Sequence, residues 1–404
     1  MNKSKNTLWY RKRHKVINKL FSLPFRLVLR LKEDFRADKC EIPKGPALII
    51  SNHLTGLDPV KVALTIKEVA YYVATDDIFN KKFISPLMIW ALNPIPKSKS
   101  VSDLKCVKTM IKVMNEGNKV MVFPEGNRSY SGDLCHVDKS IAKLVKISKV
   151  PLIILNIAGG FIGDPRWAKK PHKAENHCYL RKIVSKEEIA EMSNEDLYDL
   201  IVENLKVDQT VYNSNRRTKR AEYIERAMYY CPNCHKYETI YSHNNDIYCS
   251  ECGYKATYNN DTSITLLNGE VDVKNLSNWY KLQEKSMREF DPFKNDDVIF
   301  SDYGVTLYQS IRFKKKKVLI KNGTITMSNK WIIVQNKKHR IEILIDEINE
   351  SCAVLRHKVN FYFNDYSYQV DGLVRFNALK YVNLFHHIRN IKKNENGVNE
   401  FLGI

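Results

Sequence analysis

The sequence predicts an α/β domain, then a small module built on two cysteine pairs, then a β-rich domain closed by a helix. Three observations carry that expectation. From about residue 35 to 213, short continuous apolar runs alternate with helix-period segments, the pattern of a sheet covered by helices. Cys231, Cys234, Cys249 and Cys252 stand as two Cys-x-x-Cys pairs. From residue 263 onward, strand-length segments follow one another between turn signals, and a helical period ends the chain. At 404 residues the chain exceeds one ordinary domain. The expected divisions are a basic amphipathic segment over 1–34, the α/β domain over 35–213, a linker with the cysteine module over 214–262, and the β-rich domain over 263–404.

The elements follow in order. Residues 9–32 interleave Trp9, Phe21, Leu23, Phe25 and Leu29 with Arg11, Lys12, Arg13, Lys15, Lys19, Arg26, Arg30 and Lys32 at near-helical spacing. That is the composition of a helix lying in a lipid interface, although packing on its own domain would use the same apolar side. Arg26 and Arg30 break the run from Leu20 to Leu31. No signal peptide or membrane span is therefore expected, and the protein is read as neither exported nor membrane-spanning. Ala47–Ile50, Val69–Val73, Val120–Phe123 and Pro151–Ile157 read as buried strands. Leu104, Val107, Ile111 and Met114 recur at helical spacing, with Gly117 placed to end that helix. Strands are expected at Gly304–Tyr308, Lys317–Ile320, Thr324–Met327, Trp331–Gln335, Arg340–Leu344, Cys352–Leu355, Asn360–Phe363 and Tyr366–Val370. A helix carrying Phe376, Leu379, Phe385 and Ile388 then closes a small barrel or sandwich of pleckstrin-like type.

Lys and Arg total 65 against 45 Asp and Glu, a formal net charge of +20. An acidic partner surface follows, either nucleic acid or anionic lipid. Of the nine cysteines, Cys40, Cys106, Cys135, Cys178 and Cys352 are scattered singly, the usage of a reducing compartment.

Two segments carry chemistry. Ser51-Asn52-His53-Leu54-Thr55-Gly56-Leu57-Asp58-Pro59 follows a predicted strand, and strand ends of open α/β sheets face the ligand crevice. A histidine there suits a general base, and Asp58, five positions on, can hold its other ring nitrogen. Asp58-Pro59 also reads as an ordinary helix cap with proline at the first helical position. Phe123-Pro124-Glu125-Gly126-Asn127-Arg128-Ser129 likewise follows a strand. Gly126 permits a tight turn and Arg128 offers a fork for phosphate, although a plain connecting turn has the same residues.

Together, in this order, the two motifs resemble those of the glycerophospholipid acyltransferase family, which includes the lysophosphatidic acid acyltransferases. The resemblance covers roughly residues 40–210. It implies that His53 deprotonates the acceptor hydroxyl, that Asp58 orients it, and that Glu125, Gly126 and Arg128 bind a phosphate-bearing acceptor. It further implies a lysophospholipid acceptor, above all 1-acylglycerol 3-phosphate, an acyl carrier protein or coenzyme A thioester as donor, and no catalytic metal. Leu92-Asn93-Pro94-Ile95-Pro96-Lys97 resembles an intervening family motif, with Asn93 in place of a glycine and Lys97 in place of a phosphate-binding arginine. Lysine keeps the charge and loses the bidentate fork. Val150-Pro151-Leu152-Ile153-Ile154 resembles the last motif, with Ile154 in place of a second proline.

The two cysteine pairs have 14 residues between the inner cysteines, the spacing of a zinc ribbon. Four thiolates leave no open position, so Cys231, Cys234, Cys249 and Cys252 are read as ligands of a structural zinc. The run Lys314–Lys317, after Arg312 and Phe313, reads as a solvated hairpin turn or a contact for anionic headgroups. A zinc ribbon on a basic chain also describes a nucleic-acid-binding module. That reading leaves His53 and Arg128 unexplained, so nucleic acid is set aside, and intact His53 and Asp58 argue against an inactive lipid-binding scaffold. The resulting expectation is a cytoplasmic enzyme held peripherally on the inner face of the cell membrane.

Overall fold

The computed structural model describes residues 9–75, 84–97, 103–216, 218–294, 297–311, 316–354, 356–363, 366–393 and 401–403. They group into two compact units. The first comprises Met1–Ser129, Asp133–Asp164 and His172–Ser214, and the second Tyr130–Gly132, Pro165–Pro171 and Asn215–Ile404.

The first unit is a seven-stranded sheet of β1 (Phe35–Ala37), β2 (Ala47–Ser51), β3 (Ala70–Thr75), β4 (Ile95–Lys97), β5 (Lys119–Val122), β6 (Leu152–Ala158) and β7 (Asn176–Val184). Its spatial order is β1-β7-β6-β2-β5-β3-β4. The expected strands are β2, β3, β5 and β6, with ends moved by a residue or two. Every residue of β2 and β6 is buried, as a strand covered on both faces must be, and this is why their sequences run apolar without alternation. Strands β6, β2, β5, β3 and β4 run parallel, and β7 returns antiparallel beside β6. The carboxyl ends of the parallel strands therefore share one edge of the sheet.

The helix Leu104–Asn115 is capped at both ends. Asp103 accepts the Cys106 N–H at 2.9 Å. Gly117, at φ +86°, donates to Met114 O while Asn118 donates to Val113 O, a Schellman closure. Its buried stripe is Cys106, Met110, Val113 and Met114, while Leu104 is exposed and Val107 and Ile111 only half-buried. Met114 is in the core and Val107 and Ile111 pack against it as expected, Cys106, Met110 and Val113 widen the buried face, and only Leu104 lies off it.

Two helices pack against each other and against β1. α1 (Lys12–Glu33) buries only His14 and Leu29. Val16, Leu20, Leu23, Leu27 and Leu31 form one stripe along it, and each is more than half exposed. α2 (Asp58–Ile66) begins at Asp58 itself, with Val60 and Lys61 N–H bonded to Leu57 O. The Asp58 carboxylate turns back to the preceding loop, so it does not serve as a simple cap. Among the described residues no helix is long and apolar enough to cross a membrane.

The second unit holds two antiparallel sheets. β8 (Ile240–His243), β9 (Asp246–Cys249), β10 (Lys255–Tyr258) and β11 (Ile264–Asn268) pair in sequence order. A helix unmarked by the sequence reading, Leu276–Glu289, packs here through Trp279, whose Nε1 donates to Tyr230 O at 2.8 Å. The larger sheet contains β12 (Phe300–Ile311), β13 (Lys317–Met327), β14 (Trp331–Gln335), β15 (Arg340–Leu344), β16 (Glu350–Val354), β17 (Lys358–Phe363) and β18 (Tyr366–Asp371). Its order is β15-β14-β13-β12-β18-β17-β16. The two strands expected at Lys317–Ile320 and Thr324–Met327 are one. Asn322-Gly323 is no turn there; the β12–β13 register shifts between Tyr303 and Leu307, and the chain continues. Helix Ala378–Lys392 buries Leu379, Phe385 and Ile388, while Phe376 precedes it. Arg312, Phe313, Lys314, Lys315 and Leu355 lie outside the described residues.

Candidate active site

His53 leaves the carboxyl end of β2. Before it, Asn52 locks the loop to β6, its amide donating to Ile157 O and accepting the Ile157 N–H, both at 2.8 Å. The His53 ring stacks on Phe123, with centroids 4.3 Å apart and planes at 21°. Its Nδ1 lies 2.9 Å from Asp58 Oδ2, with Asp58 fully buried and the histidine side chain 19% exposed. The same oxygen accepts the N–H groups of Leu54 at 2.6 Å and Thr55 at 2.8 Å. Oδ1 accepts the Thr55 hydroxyl at 2.6 Å. Burial alone raises a carboxyl's pKa; here the His53 hydrogen bond, the Lys61 charge and the Thr55 hydroxyl outweigh it and hold Asp58 at about 2. A carboxylate ionised at neutral pH makes His53 Nδ1 the donor and leaves Nε2 as the lone-pair nitrogen.

The second motif closes on the first through the backbone. Glu125 Oε1 accepts the His53 N–H at 2.6 Å, Glu125 Oε2 accepts the Cys135 N–H at 2.7 Å, and the Ser129 N–H donates to His53 O at 3.1 Å. Glu125 is buried, and burial pushes its carboxyl up to about 8 against the pull of the two backbone bonds. Gly126 makes the turn at φ +65°, its N–H bonded to Phe123 O. A Cβ there would meet nothing, so the demand for glycine is conformational. Arg128 is half-buried, and its Nη1 lies 3.9 Å from where a Cβ on Gly56 would stand, over the turn that follows His53.

The Acyltransferase family model matches residues 28–157, a span that contains both loops. The chain carries an acyltransferase-family domain. It is 25% identical over 119 residues to the 1-acyl-sn-glycerol-3-phosphate acyltransferase BAT2 of Brassica napus, covering 28% of this chain and 33% of that protein. It is 26% identical over 118 residues to the LPAT1 enzyme of the same name in Arabidopsis thaliana, covering 27% and 32%. The match thus spans about a third of these relatives' length. The 1-acyl-sn-glycerophosphate acyltransferase PlsC of Thermotoga maritima is similar in structure at TM-score 0.38 and 15% identity, over 48% of this chain and 78% of that one.

Within the acyltransferase domain, not every motif residue meets the dyad. Lys97 is exposed at the end of β4, where it pairs in register with Thr75 of β3. It stands three strands from β2, about 14 Å along the same edge at ordinary strand spacing. After the Ser140 hydroxyl bond, it is among the groups that hold the nearby Asp138 below the usual carboxylate range. Val150, Leu152, Ile153 and Ile154 are core residues at the start of β6, where Leu152 to Ile154 pair with Leu48 to Ile50 of β2 and stop short of the His53 loop. Sequence reasoning overlooked Thr55, Lys61 and Glu33. The readable signal was Lys61 itself, a charge in the otherwise apolar run Pro59-Val60-Lys61-Val62-Ala63-Leu64.

In the second unit, the Sγ atoms of Cys231, Cys234, Cys249 and Cys252 lie within 4.8 Å of one another. Cys231–Cys252 and Cys234–Cys249 are each 3.7 Å apart, and no disulfide forms among the four. A tetrahedral ion with metal–sulfur bonds of about 2.3 Å separates its ligands by about 3.8 Å. The cluster fits such an ion, and among the described residues it is the one such group.

Proposed function

We propose that this chain transfers a fatty acyl group from a carrier thioester to the hydroxyl of a lysophospholipid, with His53 as general base. The observation that carries it is the 2.9 Å contact from His53 Nδ1 to the buried Asp58, on a loop braced by Glu125 and Ser129. His53 Nε2 takes the hydroxyl proton as the oxygen attacks the thioester carbonyl. The tetrahedral adduct collapses by breaking the C–S bond, and the departing thiolate takes the proton back from Nε2, giving ester and free thiol. Asp58 fixes the tautomer. Phe123 holds the plane of the ring. Both oxygens of Glu125 are committed to backbone N–H groups, so its part in acceptor binding is to position the loops, with Gly126 providing the turn. Arg128, and Lys97 farther along the edge, serve the acceptor's phosphate and make the encounter a positioned one.

The preferred acceptor is 1-acylglycerol 3-phosphate, giving phosphatidic acid, as the names of the two plant relatives support. The donor is acyl carrier protein or coenzyme A thioester. The exposed apolar stripe of α1 and its basic flanks dock the protein peripherally on the anionic inner face of the cell membrane, from the cytoplasm. The four cysteines hold one structural zinc in a zinc ribbon, and the larger sheet with its C-terminal helix is a pleckstrin-like domain.

The test is turnover of the purified full chain on lysophosphatidate, glycerol 3-phosphate and a phosphate-free monoacylglycerol, each with acyl-coenzyme A and acyl carrier protein, read by lipid mass spectrometry. Phosphatidic acid from lysophosphatidate is expected. Ester from none of the acceptors overturns the proposal, and equal use of the phosphate-free acceptor overturns the roles given to Arg128 and Lys97.

A further inference from the structure

Lys61 of α2 is wholly buried, a costly place for an ammonium unless it is paired. Its Nζ is 2.9 Å from Glu33 Oε2, 3.1 Å from Thr55 Oγ1 and 3.7 Å from Asp58 Oδ1. Nothing in the acyl-transfer scheme uses it. An ammonium has only donors, so Thr55 Oγ1 accepts from Lys61 and must aim its own proton elsewhere. The acceptor it meets is Asp58 Oδ1 at 2.6 Å. With Oδ1 so engaged, Oδ2 is left to His53 Nδ1 and the two loop N–H groups.

We propose that Lys61 is a positioning residue for the His53–Asp58 pair: through the Thr55 hydroxyl it fixes the orientation of the Asp58 carboxylate, and with Glu33 as counter-ion it sets the charge around the base. The proposal rests on the reading of His53 as base. The charged and titratable groups around it come from every neighbouring element. Asp58 and Lys61 lie on α2, Glu33 on the last turn of α1, His53 after β2, Glu125 and Arg128 after β5, and Cys178 on β7. The Cys178 thiol is pushed up to about 12 by burial and stays neutral. Loss of the Lys61 charge leaves Glu33 and Asp58 uncompensated, and the more negative surroundings favour the protonated base. The base then becomes free only at higher pH. Because Glu33 ends α1, the same ion pair ties the helix with the exposed apolar stripe to the catalytic loop.

The experiment compares the full-length parent with Lys61→Met, Lys61→Met/Glu33→Gln and Thr55→Val. Acyl transfer to lysophosphatidate in mixed phospholipid vesicles is followed across pH, with whichever of acyl-coenzyme A or acyl carrier protein thioester the parent uses. In Lys61→Met, kcat is expected to fall about 10- to 100-fold, as for a misplaced catalytic group. The acceptor KM stays within about twofold, since ground-state binding is untouched. The acid limb of the profile moves to higher pH. Adding Glu33→Gln returns that limb toward the parent's position while kcat stays low. Thr55→Val lowers kcat without moving the limb. A Lys61→Met protein with the parent's kcat and acid limb overturns the proposal, as does a loss of kcat with an unmoved limb. If Lys61→Met does not fold, Thr55→Val and the double variant decide, and parent-like kcat in both overturns it. Full activity in His53→Ala instead sinks the underlying reading, whereas an inactive His53→Ala beside an unaffected Lys61→Met sinks this inference alone.

Discussion

Glu125 shows how one side chain joins two motifs about 70 residues apart. Its carboxyl oxygens accept the N–H of His53 and the N–H of Cys135, so the His53 loop and the loop after β5 hold each other. Glutamine keeps the shape and offers one acceptor, leaving a buried N–H facing an NH₂ group. Glu125→Gln should therefore destabilise the domain by about 1–3 kcal/mol and lower kcat through the displaced His53 backbone. The pH dependence has a definite sign. The carboxyl's folded pKa of about 8 lies above its ordinary value of 4.5, so the folded state holds the proton more tightly. The linked stability is full below about 4.5 and is lost as pH rises through about 8. Urea unfolding should show the parent losing stability relative to the variant as pH rises from about 5 to about 9; a parent that gains on the variant over that range would contradict this. The contact between His53 and Asp58 was legible in the sequence because only five positions separate the two residues, one at the end of β2 and the other at the start of α2. The Phe123 stack and the Glu33–Lys61 pair bring together residues far apart in the chain, and no periodicity reports them.

At the scale of elements, the buried strands β2 and β6 were readable because burial on both faces demands unbroken apolar runs. The buried face of helix Leu104–Asn115 was read too narrowly, since Cys106, Met110 and Val113 join Val107, Ile111 and Met114 against the core while Leu104 is exposed. The single strand β13 was divided by Asn322-Gly323, a turn signal overridden by pairing with β12 and β14. α1 gives the sharpest element-level prediction. Its stripe of Leu20, Leu23, Leu27 and Leu31 is 58–74% exposed, and each basic residue near an anionic leaflet adds about 1 kcal/mol of attraction. Vesicle sedimentation should show binding that rises with anionic lipid, falls with salt, and is lost when these four leucines become serine. Undiminished binding of that variant would place the membrane contact elsewhere.

At the scale of the molecule, the α/β domain and the cysteine cluster were both expected from patterns confined to short stretches. The second unit was less legible, because its cohesion rests on distant contacts. Trp279 reaches Tyr230, Gln283 bridges the Tyr229 N–H and Ala227 O, and Tyr229 bonds Asn383. Elemental analysis should find one zinc per chain in freshly purified protein, and Cys249→Ser should lower the thermal midpoint of the second unit. Metal-free, fully folded protein would contradict the structural role. The claim on which the account turns is that His53 is the base of acyl transfer, and its most direct test is turnover of lysophosphatidate by His53→Ala in parallel with the parent. A loss of at least about 100-fold is expected, with circular dichroism and vesicle binding unchanged; near-parental turnover by the folded variant would contradict this role for His53.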